Sequence, residues 1–257
     1  MSHKLFNRKK ILNIMKKKAV ISLSGGQDST SLLIYLLSRG YEVKAYAFKY
    51  GQKHQIEVER AQEIVDFFQS HNKPVTFQAI DLTDCFSESA SSLCGDGGEI
   101  PKDEEYNLEN QKSTVVENRN IIFSSIIYGK ALAWSKKTDS DVLITLGIHA
   151  NDSSTYPDTR PESQRAARKC FEISNWGSER VKYKTPFVKK EKWELLKAGL
   201  DGMKKMKLEK DIDYVYAKTL SCYDPVDGRA CGHCATCLER LDSWSKNNRT
   251  DPAEYVK

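Results

Sequence analysis

A short apolar run, Lys18-Ala19-Val20-Ile21-Ser22-Leu23, stops at Ser24-Gly25-Gly26-Gln27-Asp28-Ser29-Thr30, and apolar residues then recur at helical spacing to Ser38. This order of strand, glycine loop and helix constrains the fold more than any other stretch. The glycines free backbone N–H groups and the helix N-terminus adds its own, so the loop suits phosphate oxygens. Ser24, Ser29 and Thr30 add hydroxyl donors. The Gly-Lys-Ser/Thr ending of the common nucleoside triphosphatase loop is absent. A plain glycine turn, with Asp28 or Ser29 capping the helix, competes with the phosphate reading.

The pattern continues. Residues 43–48 read as a second strand, 56–68 as an amphipathic helix and 75–80 as a third strand. The stretch 85–112 is rich in Ser, Gly, Asp and Glu and reads as a long surface loop or lid. A long helix is expected over 120–136, a strand over 142–147, and a helix over 162–173 after a turn-rich segment. Alternating strands and helices predict an α/β fold: a doubly wound, mostly parallel sheet with ligands beyond the carboxyl ends of its strands.

The cysteines supply the second strong signal. The chain has 257 residues and seven cysteines, an odd number in a chain that is not small, so a disulfide framework is disfavoured. Cys231, Cys234 and Cys237 recur at two-residue intervals, with Cys222 one short loop upstream. Four thiolates close a tetrahedral shell around zinc and leave no position for water, which favours a structural ion over a catalytic one. Free thiols and an iron–sulfur cluster are the alternatives. His233 lies between better-spaced cysteines and is left to solvent or to the surroundings of the ion, while Cys85, Cys94 and Cys170 read as ordinary thiols.

A net charge of +5 is mild at this length and permits an anionic ligand without demanding nucleic acid. No apolar run approaches the roughly 20 residues of a membrane span, and the basic start carries no signal-peptide pattern, so a cytoplasmic location is expected.

The loop at 24–29 resembles that of the ATP-pyrophosphatase superfamily. This resemblance implies that Leu23, Ser24, Gly25, Gly26, Gln27, Asp28, Ser29 and Thr30 bind ATP, that Asp28 helps to place Mg2+, and that AMP and pyrophosphate are released. Taken with Tyr50-Gly51-Gln52-Lys53-His54, Asp152-x-x-x-Tyr156-Pro157-Asp158-Thr159-Arg160 and Ser221-Cys222-Tyr223, it is similar to the 7-cyano-7-deazaguanine synthase family over about residues 19–240. The resemblance implies an adenine nucleotide alpha hydrolase-like domain over 18–200. A basic extension over 1–17 precedes it, and a small helical, zinc-binding region over 201–257 follows. It further implies a homodimer that uses ATP, 7-carboxy-7-deazaguanine and ammonia. Asp28, Ser29, Arg119 and Lys192 would be catalytic. Gln52, His54, Arg119, Asn120, Asp152, Tyr156, Asp158 and Arg160 would bind the deazaguanine, carboxylates meeting its N–H edge and an aromatic its face. By the residues alone, Tyr156 to Thr159 also reads as a turn, Lys192 as a solvated helix residue beside Glu191 and Glu194, and His54 as a surface histidine.

Three departures from the family pattern stand out. Glu117-Asn118 replaces Pro-Gly before Arg119-Asn120, which is expected to make that turn flexible and acidic, Leu220 stands where many relatives have Trp, and the extended N-terminus over 1–17 has no counterpart. They suit an alternative in which the activated deazaguanine passes as an amide to a protein or other amine, as in antiviral defence. A nucleic-acid-binding zinc module is a further reading, disfavoured because Leu238 to Asp242 is balanced in charge and the glycine loop would have no role.

Overall fold

The computed structural model describes residues 17–53, 56–95, 97–100 and 112–256. Five strands, all parallel, form one sheet in the order β3-β2-β1-β4-β5. In chain order the elements are β1 (Lys17–Ser22), α1 (Gln27–Ser38), β2 (Tyr41–Lys49), α2 (Ile56–Ser70), β3 (Val75–Asp81), α3 (Arg119–Thr138) and β4 (Val142–Thr145). There follow α4 (Pro161–Ser174), β5 (Val181–Tyr183), α5 (Lys192–Lys205), α6 (Ile212–Ala217) and α7 (Ala235–Lys246).

Alternation along the strands assigns the two faces. Ala19, Ile21, Val43, Ala45 and Ala47 pack with α1, α2, α5 and α6, while Val20, Tyr46, Phe48, Val142 and Ile144 pack with α3 and α4 on the other side. The first face is the thicker: Tyr216 of α6 and Trp244 of α7 share one core with Ile21 and Leu33, so the core runs on past residue 200. Small residues let these layers approach. A Cβ at Gly199 of α5 would stand 2.2 Å from the Tyr216 hydroxyl and 3.0 Å from Ser31 Cα, and one at Gly202 would stand 2.8 Å from Ile34 Cγ2.

The expected strands and helices are all present, most with ends shifted by one or two residues, and three differences stand out. β4 ends at Thr145 rather than 147, because the chain leaves the ladder to press Gly147 against α1. β5 has only three residues, Val-Lys-Tyr, too few for periodicity to reveal. The opening of the loop after β3 is not free at the surface: Gln52 and Cys94 form an antiparallel bridge, the Lys53 amide donates to the Leu93 carbonyl, and Ser91, Ser92 and Cys94 are buried. Residues 1–16 and 101–111 lie outside the described residues. Among the described residues no helix is long and apolar enough to cross a membrane.

On an open helix face, Gly→Ala stabilises by up to about 1 kcal/mol. Gly199→Ala reverses that sign here, because overpacking against a fully buried tyrosine and the α1 backbone costs about 1–3 kcal/mol. A lower urea midpoint at unchanged slope is the expected result.

Candidate active site

The strand order reverses at β1, between β2 and β4, and the glycine loop leaves β1 at that switch point, where open parallel sheets form a crevice. Gly25 has φ +82, and a Cβ there would lie 2.4 Å from the Glu57 carbonyl, so the loop turns tightly against the start of α2. On its other side Gly147 closes in: a Cβ there would stand 3.1 Å from the Ser29 amide nitrogen. The segment before the cysteines covers the loop. The Leu220 amide donates to the Gly25 carbonyl at 3.1 Å, and the Gln27 amide donates to Ser221 Oγ at 3.1 Å.

Within the loop, Ser24, Gly26, Asp28 and Ser29 line a cleft of about 310 Å³. Leu23, Gln27 and Thr30 are buried and shape it from behind. Gln27 joins the loop to α7, its side chain donating to Ser243 Oγ at 3.0 Å and accepting from Trp244 Nε1 at 2.9 Å. Ser29 Oγ stays inside the loop, accepting the Ser24 amide at 3.2 Å and donating to the Gly26 carbonyl at 3.3 Å. Asp28 does not cap the helix; it turns to a cation.

That cation is Lys192, the first residue of α5, whose Nζ lies 2.9 Å from Asp28 Oδ2. Far from being solvated, Lys192 is buried, while Glu191 and Glu194 form a capping box for the helix it begins. His149, fully buried just beyond β4, places Nε2 3.5 Å from both Asp28 Oδ2 and Lys192 Nζ. Its amide donates to Asp152 Oδ2 at 3.0 Å, and Glu239 of α7 closes the ring 3.6 Å from Lys192 Nζ. Burial opposes the charge on Asp28, but Lys192 and His149 outweigh it and hold the carboxyl well below the usual carboxylate range. Burial likewise opposes charge on His149, and Asp152 and Asp28 outweigh it, raising the imidazole above its ordinary value. Asp152 and Glu239, pushed up by burial, are the weaker acids of the group.

The far end of the cleft is aromatic. Phe48, Tyr50, Phe123, Tyr156 and Tyr223 line it together with Arg119 and Asn120. Arg119 Nη1 donates to Tyr50 Oη at 3.2 Å, and the Tyr156 and Tyr223 hydroxyls meet at 2.5 Å. The turn that starts α3 keeps a left-handed residue: Asn118 has φ +55, and Glu117 accepts from Ser89 Oγ at 2.6 Å and from the Ala90 amide at 3.3 Å. Asn tolerates the left-handed conformation, and the Glu117 carboxylate is bonded to the neighbouring loop.

The four thiols Cys222, Cys231, Cys234 and Cys237 are buried, with their sulfurs within 4.8 Å of one another. The Cys222–Cys234 and Cys231–Cys237 sulfur separations are 3.9 and 4.0 Å. Disulfides need about 2.05 Å. A tetrahedron of Zn–S bonds of about 2.3 Å puts its sulfurs about 3.8 Å apart. Backbone amides of Asp224 and Cys231 point at Cys222 Sγ, and that of Cys234 at Cys231 Sγ, each at 3.3 Å, as suits thiolate acceptors. The donor set fits a metal ion, and a soft tetrahedral one such as zinc best.

The family model described as queuosine biosynthesis protein QueC matches residues 18–248. This chain belongs to the QueC family. A 7-cyano-7-deazaguanine synthase from Marinomonas sp. (strain MWYL1) is 38% identical over 242 residues, 94% of this chain and 99% of that protein. One from Hahella chejuensis (strain KCTC 2396) is 34% identical, with 95% of each chain covered. Among solved structures, NMN synthetase from Francisella tularensis aligns with a TM-score of 0.39 and 12% identity, over 93% of this chain and 81% of that chain. That likeness is too remote to inform the reading.

Of the residues expected at a QueC site, Asp28, Ser29 and Lys192 meet at one end of the cleft and Gln52, Arg119, Asn120 and Tyr156 at the other, with Asp152 among the lining residues. Gln52 spends its amide locally, donating to the Phe48 carbonyl and accepting the Tyr50 amide. Asp158 sits behind the wall, accepting the Asn120 amide and Nδ2 at 3.2 and 3.1 Å, and Arg160 donates to the Ser153 carbonyl away from the lining. His54 lies outside the described residues. Three groups escaped sequence reasoning: His149, Glu57 and Glu239. The place of His149 just past a strand's carboxyl end was a usable signal; the two glutamates read as ordinary helix-surface residues.

Two predictions follow from this geometry. Because the folded-state pKa of His149 is raised, its ionic contribution to stability is full below the unfolded value of about 6.5 and is lost as pH rises through the folded value. In urea melts, the deficit of His149→Asn relative to wild type is therefore larger near about pH 6 than near about pH 8.5. Cys234→Ser should lower both the metal content of the purified protein, read by elemental analysis, and the melting temperature, because one missing thiolate opens the shell.

Proposed function

We propose that this chain uses ATP to convert 7-carboxy-7-deazaguanine and ammonia into 7-cyano-7-deazaguanine, through an acyl adenylate and then the amide, releasing AMP and pyrophosphate. Membership of the QueC family supports the substrate class. The observation that carries the reading is the glycine loop opening on a buried Lys192–Asp28 pair at the switch point of the sheet.

A carboxylate resists attack because oxide is its leaving group, whereas an acyl adenylate expels AMP. Positioning ATP beside the carboxylate therefore supplies the activation without a protein nucleophile. The Ser24 to Ser29 loop receives the pyrophosphate end of ATP. Lys192, held charged by Asp28, faces the negative charge that develops on the transferred phosphate. Asp28 Oδ1 is buried and accepts no hydrogen bond among the described residues, so the carboxylate fits a hard cation. Asp28 would hold magnesium there, and the ion would neutralise phosphate charge. At the other end, Tyr156 and Tyr223 offer faces to the deazaguanine ring and Arg119 a charge to its carboxylate. Asp152 offers an acceptor to the ring's N–H groups. Asp158 supports this wall by holding Asn120 at the head of α3. The cysteine cluster acts on shape alone, fixing α7 and hence Glu239.

Mass spectrometry of reactions with ATP, magnesium, ammonium and 7-carboxy-7-deazaguanine tests the proposal. Nitrile is the expected product, with AMP, and Asp28→Ala abolishes AMP release while keeping its cysteine-bound metal. A reaction that stops at the amide, or that needs a protein acceptor, would replace this reading with the transfer alternative; unchanged AMP release in the Asp28 variant would remove the loop assignment.

A further inference from the structure

The cleft contains a carboxylate that adenylation does not use. Glu57 stands in the first turn of α2, with its carbonyl against Gly25, and its side chain lines the cleft between the glycine loop and the wall of Tyr50 and Arg119. Phosphate binds at the loop and the deazaguanine carboxylate at Arg119, so Glu57 borders the place where the two join. Among the described residues Arg119 is the charged group that faces its carboxylate, and no side-chain hydrogen bond holds it. A carboxylate in a cleft beside an anion-binding loop is costly unless a cation offsets it.

The reaction needs a nitrogen nucleophile, yet in neutral water ammonia is present almost wholly as ammonium, whose nitrogen has no lone pair. We propose that Glu57 is a catalytic residue that receives ammonium in the cleft and takes one proton from it, releasing ammonia beside the acyl adenylate. This assignment rests on the function proposed above.

The steps balance. The Glu57 carboxylate becomes a carboxylic acid as ammonium becomes ammonia. The nitrogen lone pair forms the C–N bond, and the acyl C–O bond breaks with its electron pair leaving on AMP. The nitrogen-protonated amide, a strong acid, loses its extra proton to water. Burial pushes Glu57 up to about 7, against the opposing charge of Arg119, so the acid it becomes is stable long enough to matter and can return its proton to solvent between turnovers. Arg119, the charged group facing it, keeps the carboxylate form available to receive ammonium, while burial supplies the basicity that lets it take the proton.

Three assays on the full chain separate this role from the rest of the reaction. They are exchange of labelled pyrophosphate into ATP dependent on 7-carboxy-7-deazaguanine, amide formation from ammonium chloride, and hydroxamate formation from hydroxylamine, which is already uncharged at neutral pH. In Glu57→Gln, amide formation falls about 100-fold while pyrophosphate exchange and hydroxamate formation persist. Glu57→Asp, which keeps a carboxylate, recovers part of the amide rate. Wild-type amide formation in the Gln variant, loss of all three activities together, or no recovery in the Asp variant overturns the assignment. A wild-type protein that shows no carboxylate-dependent exchange would instead overturn the proposed function.

Discussion

Among the described residues the glycine loop has no sheet partner beyond Leu23, and its shape is imposed by the hydrogen bond from the Leu220 amide to the Gly25 carbonyl together with that from the Gln27 amide to Ser221 Oγ. Buried backbone groups must be paired, so whatever positions residues 219–221 positions the loop. That task falls on α7. Arg240, almost fully buried, donates to Thr219 Oγ1 at 2.7 Å, to the Thr219 carbonyl at 3.2 Å and to the Tyr216 carbonyl at 3.0 Å, while its charge is met by Asp251 at 2.7 and 2.9 Å. Cys234 is the N-cap of α7 and Cys237 lies in its first turn. A dependence therefore runs from the four thiolates to α7, to Arg240, to Leu220 and to the loop. It explains how a site suited to a structural ion bears on the shape of the glycine loop.

The charge cluster beneath the loop has a different rationale. A buried ion pair is about neutral for stability against apolar residues of the same size, because desolvation cancels most of the attraction, whereas removing one partner costs about 3–5 kcal/mol. Stability alone gives no reason to sink Lys192 among Asp28, His149, Asp152 and Glu239 when Leu195 and Leu196, one turn further along the same face of the helix, are apolar and buried. Under the proposed function an anion at the loop would supply the reason: it would meet a lysine whose charge is fixed by neighbours rather than by water, so little reorganisation would be needed as charge builds.

Much of this was legible in the sequence, and the remainder failed for identifiable reasons. The strands at β1, β2 and β3 and the helices between them repeat apolar residues at periods that admit one interpretation, and the cysteine spacing names its own geometry. Lys192 is different: composition beside Glu191 and Glu194 argues for a solvated residue, and only the tertiary crossing of α5 over α1, permitted by Gly199 and Gly202, turns it inward. His149 and Glu57 depend on the same kind of information. The place of His149 past a strand end points to a site, but its chemistry, like that of Glu57, comes from what burial and charged neighbours do to a common side chain, which no local pattern records.

The turn before α3 shows how far a sequence difference and a shape difference can part. Most residues pay roughly 1–2 kcal/mol in the left-handed region, which is why glycine is common there, but Asn enters it routinely because its short polar side chain bonds locally. Asn118 at φ +55 therefore occupies the conformation that glycine would. Proline would restrict the preceding residue through its ring; Glu117 is restricted by its bonds to Ser89 Oγ and the Ala90 amide. A Glu-Asn pair can therefore hold a left-handed turn without glycine or proline, and Arg119 leaves that turn aimed at Tyr50 in the cleft.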